Sequence, residues 1–483
     1  MTAPEKRPFP TLPDTIKTIH IIGICGSAMG SLAAMLAESG YTVRGSDAAA
    51  YPPMSTWLEE RGIEIMLGYN KENLDWNPDV VIVGNVCRAT YEDAVATRER
   101  GLPYLSLPEA LRHFFFQDRK SLVITGTHGK TTTTSMLAWI LTHAGRDPSF
   151  MVGGITGNFG SNYRLGQGDR FVIEGDEYDT AYFDKVPKFW HYAPFRATIN
   201  NVEYDHADIY PDIDAIEHVF RRFVSQIPAQ GSLWVNGDDP RALAISEHSI
   251  APRGTFGFGP NCDLRATDLS VEGDLIGATI SLNGEALGPL RLPLVGEFNI
   301  RNALGATALA LDEGLSFEAI TRALIAFKSV KKRQQYIGTA AGIDVYDDFA
   351  HHPTAVAATL RAFRRQYPER KIWALFEATS NTSRRRVFQD QYPPAFAIAD
   401  RVILSSPRKK KDNLAPEEQI DIEAMVTSIA AQGPPTELIP QIDDIVALVA
   451  REAQPGDLIL GLSGAAFGGI HQKIVAALQK RSQ

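Results

Sequence analysis

Short apolar runs alternate with stretches of helical period along most of the chain. From Thr18 to about Phe116 the order is "IHIIGI", "SLAAMLAESG", "YTVRGSD", "STWLEERG", "DVVIVGN", "YEDAVATRERG", "PYLSL" and "PEALRHFFF". Strand candidates interleaved with helices at this spacing predict a parallel sheet with helical crossovers. Polarity rises near "FQDRK", and a second unit starts at "SLVIT". It runs through "FVIEGDEYD" and "RATINNVEYDHADIY" to a helical stretch, "GEFNIRNALGATALALDEG". After "FKSVKKRQQ" a third unit alternates the strand candidates "IDVYDD", "KIWALFEA", "DRVILSS" and "DLILGLSG" with helices. The pattern predicts an α/β fold of three domains in series, 1–117, 118–330 and 331–483.

Composition narrows the class. A 483-residue chain with 44% hydrophobic and 22% charged residues has the make-up of a globular protein with several cores. Lys and Arg total 48 against 57 Asp and Glu, a formal charge of -9, so the basic excess that nucleic-acid binding leaves is missing. The start, "MTAPEKRPFPTLPDTIKTIH", has no apolar h-region, and no later stretch offers about 18 uninterrupted apolar residues. A cytoplasmic protein without a membrane partner is expected. Cys25, Cys87 and Cys262 are far apart and lack CxxC spacing, which predicts reduced thiols rather than a disulfide framework or a zinc site. The run "RKKK", Arg408 to Lys411, reads as a solvated loop.

The chemistry gathers at "LVITGTHGKTTTT". A buried strand ends in a turn bearing Gly126 and Gly129, and a helix begins near Lys130. Such glycines let backbone amides close on phosphate oxygens, the helix start favours negative charge, Lys130 can reach the β and γ phosphates, and the Thr131 hydroxyl can ligate magnesium. The spacing is two residues shorter than G-x-x-x-x-G-K-[ST]. Two acidic clusters follow apolar runs, where strand ends meet a ligand crevice: Glu174, Asp176, Glu177 and Asp179, then Asn201, Asp205, His206 and Asp208. Magnesium takes a few hard oxygens from protein and leaves the rest to phosphate and water. The three features in order predict a metal–ATP site. The N-terminal "GICGSAMG" places glycines at 23, 26 and 30 after a strand, but misses the G-x-G-x-x-G dinucleotide spacing.

These residues resemble the Mur ligase family of ATP-dependent amide-forming enzymes of cell-wall synthesis. "GTHGKTTT" is similar to the family's shortened phosphate loop, "EGDEYD" to its acidic magnesium motif and "NNVEYDHAD" to its Asn and His motif. "GEFNIRN" is similar to its adenine-side motif and "DDFAHHPT" to its C-terminal nucleotide motif. The resemblance implies a Rossmann-like UDP-sugar domain, a central P-loop ATPase-like domain and a C-terminal Rossmann-like domain. Four finer stretches, "GICGSAMG", "SDAAAYPPMSTWLE", "EYDTAYFDK" and "FGGIHQKI", imply a member that joins UDP-N-acetylmuramate to the tripeptide L-alanyl-γ-D-glutamyl-meso-diaminopimelate, in peptidoglycan recycling. The alternative is addition of L-alanine to the same nucleotide sugar. A monomer or weak homodimer is expected.

The resemblance also implies roles. Gly126, Thr127, Gly129, Lys130, Thr131 and Thr132 would hold ATP, with Thr133 and Thr134 left to capping or packing. Thr131 and Glu174 would hold the Mg2+ shared with ATP, and His206 a second ion beside the acyl phosphate, so that Lys130, Glu174 and His206 carry the catalysis. Asn299 and Asn302 would face the adenine, Arg333 and Asp348 would close from the third domain, and His351 would lie near the nucleotide. His352 would cap, pack or join it. Gly23, Gly26 and Ser27 would hold the UDP-sugar diphosphate, with Ser46 and Asp47 near its nucleoside. Ser380, Asn381, Thr382, Arg384 and Arg385 would bind the tripeptide carboxylates; close relatives show Pro-Arg where Ala378-Thr379 stands here. Some members carry a carbamylated lysine beyond the histidine, where this chain has "HVFRRF", so no such modification is expected.

Overall fold

The structure, a computed structural model, describes residues 7–407 and 414–481. The "RKKK" run lies outside the described residues. Three sheets follow one another along the chain. The first has five parallel strands in the order Glu64–Leu67, Thr42–Asp47, Thr18–Ile22, Val80–Val83, Tyr104–Ser106. Ile19, Ile21, Ile22 and Val80 to Val83 are fully buried, as strands covered by helices on both faces must be. The chain leaves Ile22 toward one side and Val83 toward the other, so the crevice at this reversal opens beside Gly23 to Ser27.

The second sheet has ten strands and centres on Lys120–Thr125, flanked by Arg170–Gly175 and Pro194–Ile199, all parallel. Its far edge departs from a pure parallel α/β unit: Leu264–Glu272, Leu275–Leu282 and Glu285–Leu292 form an antiparallel meander. Its second turn is Asn283-Gly284, with φ of 52° and 83°. That pair of positive angles is the geometry of a type I′ hairpin turn. Helix Lys130–His143 starts at the end of the central strand and packs on helix Glu297–Asp312. Leu137, Ile140 and Leu141 of the former are buried to within 1%, each side chain contributing about 1.5–3 kcal/mol of transfer free energy.

The third sheet runs Gln335–Ala340, Ile343–Asp348, Leu458–Ser463, Ile372–Glu377, Arg401–Leu404, Thr436–Leu438; only the first pairing is antiparallel. The linker into it is pinned on both sides. Lys331 N donates to Ile155 O of the second unit (2.9 Å), while Gln334 N donates to Asp348 Oδ2 of the third (2.8 Å). Lys332 and Gln334 adopt φ of 62° and 49°, in the left-handed region that costs non-glycine residues energy. Among the described residues no helix is long and apolar enough to cross a membrane, and all three cysteines are free thiols.

Candidate active site

The phosphate loop leaves the central strand at its carboxyl edge. Gly126 takes φ 130° and Gly129, the residue before helix Lys130–His143, takes φ 81°. A Cβ on Gly129 would collide with Asn302 Oδ1, and one on Gly126 would stand 3.0 Å from Asn201 N. Asn201 holds the turn: its Oδ1 accepts from His128 N (2.7 Å) and its Nδ2 donates to His128 O (3.2 Å). The four threonines divide. The Thr131 hydroxyl donates to Glu174 Oε2 (3.0 Å), and Thr132 lines the cavity described below. Thr133 Oγ accepts from Asn200 Nδ2 (3.0 Å), and Thr134 Oγ donates back to Lys130 O (2.8 Å), so both are structural.

Lys130 Nζ donates to Gly126 O at 2.6 Å and to Glu177 Oε2 at 2.9 Å. Burial weakens the ammonium, yet Glu177, Asp176 and Glu174 outweigh burial and hold its pKa above the ordinary lysine value. Glu177 also faces His206, whose Nε2 lies 3.3 Å from Oε1. Against the cost of burial, Lys130 and His206 hold the Glu177 carboxyl below its usual range, and Glu177 holds His206 above its own. Glu174 goes the other way: burial and Asp176 push its carboxyl up, although Gly153 N and Thr131 donate to it. A buried carboxylate so destabilised, beside a threonine hydroxyl, is a hard-oxygen donor set suited to magnesium. The glycine cradle, where a Cβ would strike neighbouring atoms, fits a phosphate chain.

Groups from the third sheet reach the same space. Arg333 Nη2 donates to Thr131 Oγ at 3.3 Å. Asp348 accepts from Gln334 N and Ala350 N, both at 2.8 Å. Gln334 Oε1 in turn accepts from Asn299 Nδ2 (3.1 Å), and Asn302 Nδ2 donates to Asn299 Oδ1 (3.1 Å). His351 Nδ1 lies 2.9 Å from Phe349 O, which fixes its ring. Together these bound a cavity of about 1250 Å³ lined by Thr127, Gly129, Lys130, Thr131, Glu174, His206, Asn299 and Asn302 of the second unit and by Arg333, Asp348 and His351 of the third.

The residues expected for the tripeptide do not stay together. Ser380 lines the cavity, but Asn381 Nδ2 donates to Asp208 Oδ2 (2.7 Å) and Thr382 donates to Asp205, tying this loop to the His206 segment. Arg384 is buried to 7% exposure, and Arg385 lies 3.6 Å from Glu418; neither lines the cavity.

At the first sheet, Gly26 and Ser27 are exposed at the crevice, and Gly23 takes φ 83° with its missing Cβ facing Cys87 Sγ. Asp47 Oδ2 accepts from Cys25 N (2.9 Å), closing the turn. Ser46 departs from expectation. It is fully buried, its hydroxyl donates to Asp93 Oδ2 (2.6 Å), and its carbonyl accepts from Gly23 N (2.7 Å). Successive strand side chains point to opposite faces, so Ser46 and Asp47 cannot both face the crevice. Ser46 shapes the glycine turn from within.

Sequence reasoning named Glu177 only as one of an acidic cluster, without its place between Lys130 and His206, and passed over His128, Asn200 and Glu203. The signal for Glu177 was its place three residues beyond Glu174: the strand ends at Gly175, so Glu177 belongs to the loop over the phosphate turn. Beyond His206, Arg221 pairs with Glu217 and Arg222 lies over the Trp190 ring.

Comparison with known proteins gives three consecutive family matches: the Mur ligase family, catalytic domain, over residues 18–119; the Mur ligase middle domain over 124–310; and the Mur ligase, glutamate ligase domain over 332–465. The UDP-N-acetylmuramate–L-alanyl-γ-D-glutamyl-meso-2,6-diaminoheptandioate ligase of Escherichia coli (strain K12) is 39% identical over 472 residues, 96% of this chain and 99% of that protein. A UDP-N-acetylmuramate–L-alanine ligase of Chlorobium phaeobacteroides is 31% identical, covering 92% of this chain and 94% of that one. The crystal structure of a murein peptide ligase from Psychrobacter arcticus superposes with a TM-score of 0.71 at 34% identity, over 96% of this chain and 99% of that one. With likeness of this extent over all three sheets, the chain belongs to the Mur ligase family.

Proposed function

We propose that the protein is an ATP-dependent ligase that forms an amide bond between UDP-N-acetylmuramate and L-alanyl-γ-D-glutamyl-meso-diaminopimelate. The observation that carries the substrate assignment is the 39% identity over 96% of the chain to a ligase of that name, against 31% for an alanine-adding relative. The geometry supports the chemistry. A carboxylate resists nucleophilic attack, so it is first phosphorylated, and the acyl phosphate is then attacked by the amine. Such phosphoryl transfer depends on positioning and on charge neutralisation.

Lys130 and the amides of the glycine turn neutralise and orient the phosphates. Thr131 and Glu174 would hold one magnesium ion, and Glu177 with His206 a second, the pair at 3.3 Å being the reason to join Glu177 to that set. Bound magnesium supplies positive charge to the phosphate oxygens. Arg333, which donates to Thr131, would meet the same oxygens from the third unit, Asn299 and Asn302 would border the nucleotide, and Asp348 and His351 would fix the closing loop. Gly26 and Ser27 offer the turn for the UDP-sugar diphosphate.

The test supplies UDP-N-acetylmuramate and ATP with either the tripeptide or L-alanine and follows ADP release. The tripeptide should turn over faster; faster turnover with L-alanine would assign the chain to the other reaction.

A further inference from the structure

Where the large cavity meets a smaller one of about 470 Å³, three side chains converge that the ligase chemistry does not use: His128 of the phosphate loop, Glu203 after the strand Pro194–Ile199, and His352, which caps helix Pro353–Gln366 of the third unit. Each offers one ligand atom, and the three atoms lie within 4.8 Å of one another. His128 Nε2 is buried, has no hydrogen-bond partner among the described residues, and points at Glu203 Oε2 from 3.5 Å. The His352 ring is set by its neighbours. Nε2 lies 3.2 Å from the Tyr204 carbonyl, which keeps the proton there, and Nδ1 accepts from Thr354 N at 3.3 Å as the helix cap, 3.9 Å from Glu203 Oε2, so a bound cation would take the Nδ1 lone pair in exchange for that cap bond. Thr354 Oγ donates to the same carboxylate oxygen at 2.7 Å, an outer partner that orients it. The His128 and His352 ring centres are 4.8 Å apart.

Two imidazoles and a carboxylate are the ligands of zinc and similar borderline cations, whereas magnesium prefers oxygen alone. We propose that His128, Glu203 and His352 form a site for a zinc-type divalent cation, distinct from the Thr131 and Glu174 oxygens, that staples the phosphate-loop turn to the third sheet. Zn–N and Zn–O bonds of about 2.0–2.2 Å require the donors to draw together to roughly 3.3 Å, a motion of side-chain size. Because His352 belongs to one side of the joint and the other two to the opposite side, the ion ties the two units together.

The full chain, free of nucleotide and magnesium, is titrated with Co2+ as a spectroscopic stand-in and with Zn2+ in thermal melts. A visible ligand-field band saturating at one equivalent and a Zn2+-dependent rise in Tm are expected. His352→Asn, which keeps the helix cap, and Glu203→Gln, which keeps an acceptor for Thr354, should each weaken binding by about tenfold or more and abolish the rise in Tm. The assignment is overturned by the lack of a band in the parent protein. It is equally overturned by a band that survives both variants and disappears in His206→Asn, which would locate the ion at the magnesium carboxylates.

Discussion

The Lys130 ammonium lies 2.9 Å from the Glu177 carboxylate, with side-chain exposures of 12% and 2%. The same carboxylate lies 3.3 Å from His206 Nε2, so one acid organises both side chains over the phosphate turn. Glu177→Gln keeps the shape and removes the charge. The expected result is a fall in kcat of about 10²-fold or more, measured by ADP release.

The same variant has a signature in protonation. Glu177 raises the His206 pKa above its ordinary 6.5 against the lowering effect of burial. The pair's contribution to stability is therefore complete below about 6.5 and is lost as pH rises through the higher folded value. With Glu177→Gln burial prevails, and the His206 imidazole resonance, followed by NMR, should titrate at lower pH than in the parent.

Thr131 and Thr133 separate chemistry from support. Thr131→Val removes the hydroxyl that faces Glu174 and should lower kcat by about 10²-fold with little change in Tm. Thr133→Val leaves the buried Asn200 amide without its acceptor. Its cost should appear as about 1–3 kcal/mol of unfolding free energy in denaturant titrations, with ATP kinetics much less affected.

Gly129→Ala tests the cradle. The new methyl meets Asn302 Oδ1 at a backbone angle of 81°. The left-handed conformation alone costs about 1–2 kcal/mol. The expected outcome is a lower Tm and weaker ATP binding in calorimetry; tight binding with an unchanged Tm would remove the close contact.

Asp93 provides a pH test away from the cavity. Burial raises its pKa to about 6 despite the bond from Ser46. Between about 4 and about 6 the folded state therefore holds a proton that the unfolded chain, with an ordinary carboxyl pKa, has released, so stability falls as pH rises through that window. Asp93→Asn should flatten this part of the pH dependence of unfolding relative to the parent, and an unaltered slope would place the proton elsewhere.

How much of this was legible in the sequence depends on how local the cause is. Lys130 and Thr131 were legible because the glycine turn and helix start are set by seven adjacent residues, "TGTHGKT". Choosing among Glu174, Asp176, Glu177 and Asp179 required knowing that the strand ends at Gly175. The antiparallel meander was missed although Asn283-Gly284 is a strong hairpin signal. Arginine suits carboxylate binding, but the docking of Arg384's loop, with Asn381 on Asp208 and Thr382 on Asp205, is a tertiary fact that no local pattern carries. Ser46 is buried on Asp93 while Asp47 reaches the Cys25 amide, because neighbouring residues of a strand point to opposite faces.

The left-handed angles at Lys332 and Gln334 give the joint between the second and third sheets a mechanical character. Each angle stores about 1–2 kcal/mol, so the contact of Arg333 with Thr131 is held by cross-joint bonds against the backbone's own preference. The two torsions turn the linker sharply on either side of Arg333, so the joint itself sets the direction in which the guanidinium meets Thr131.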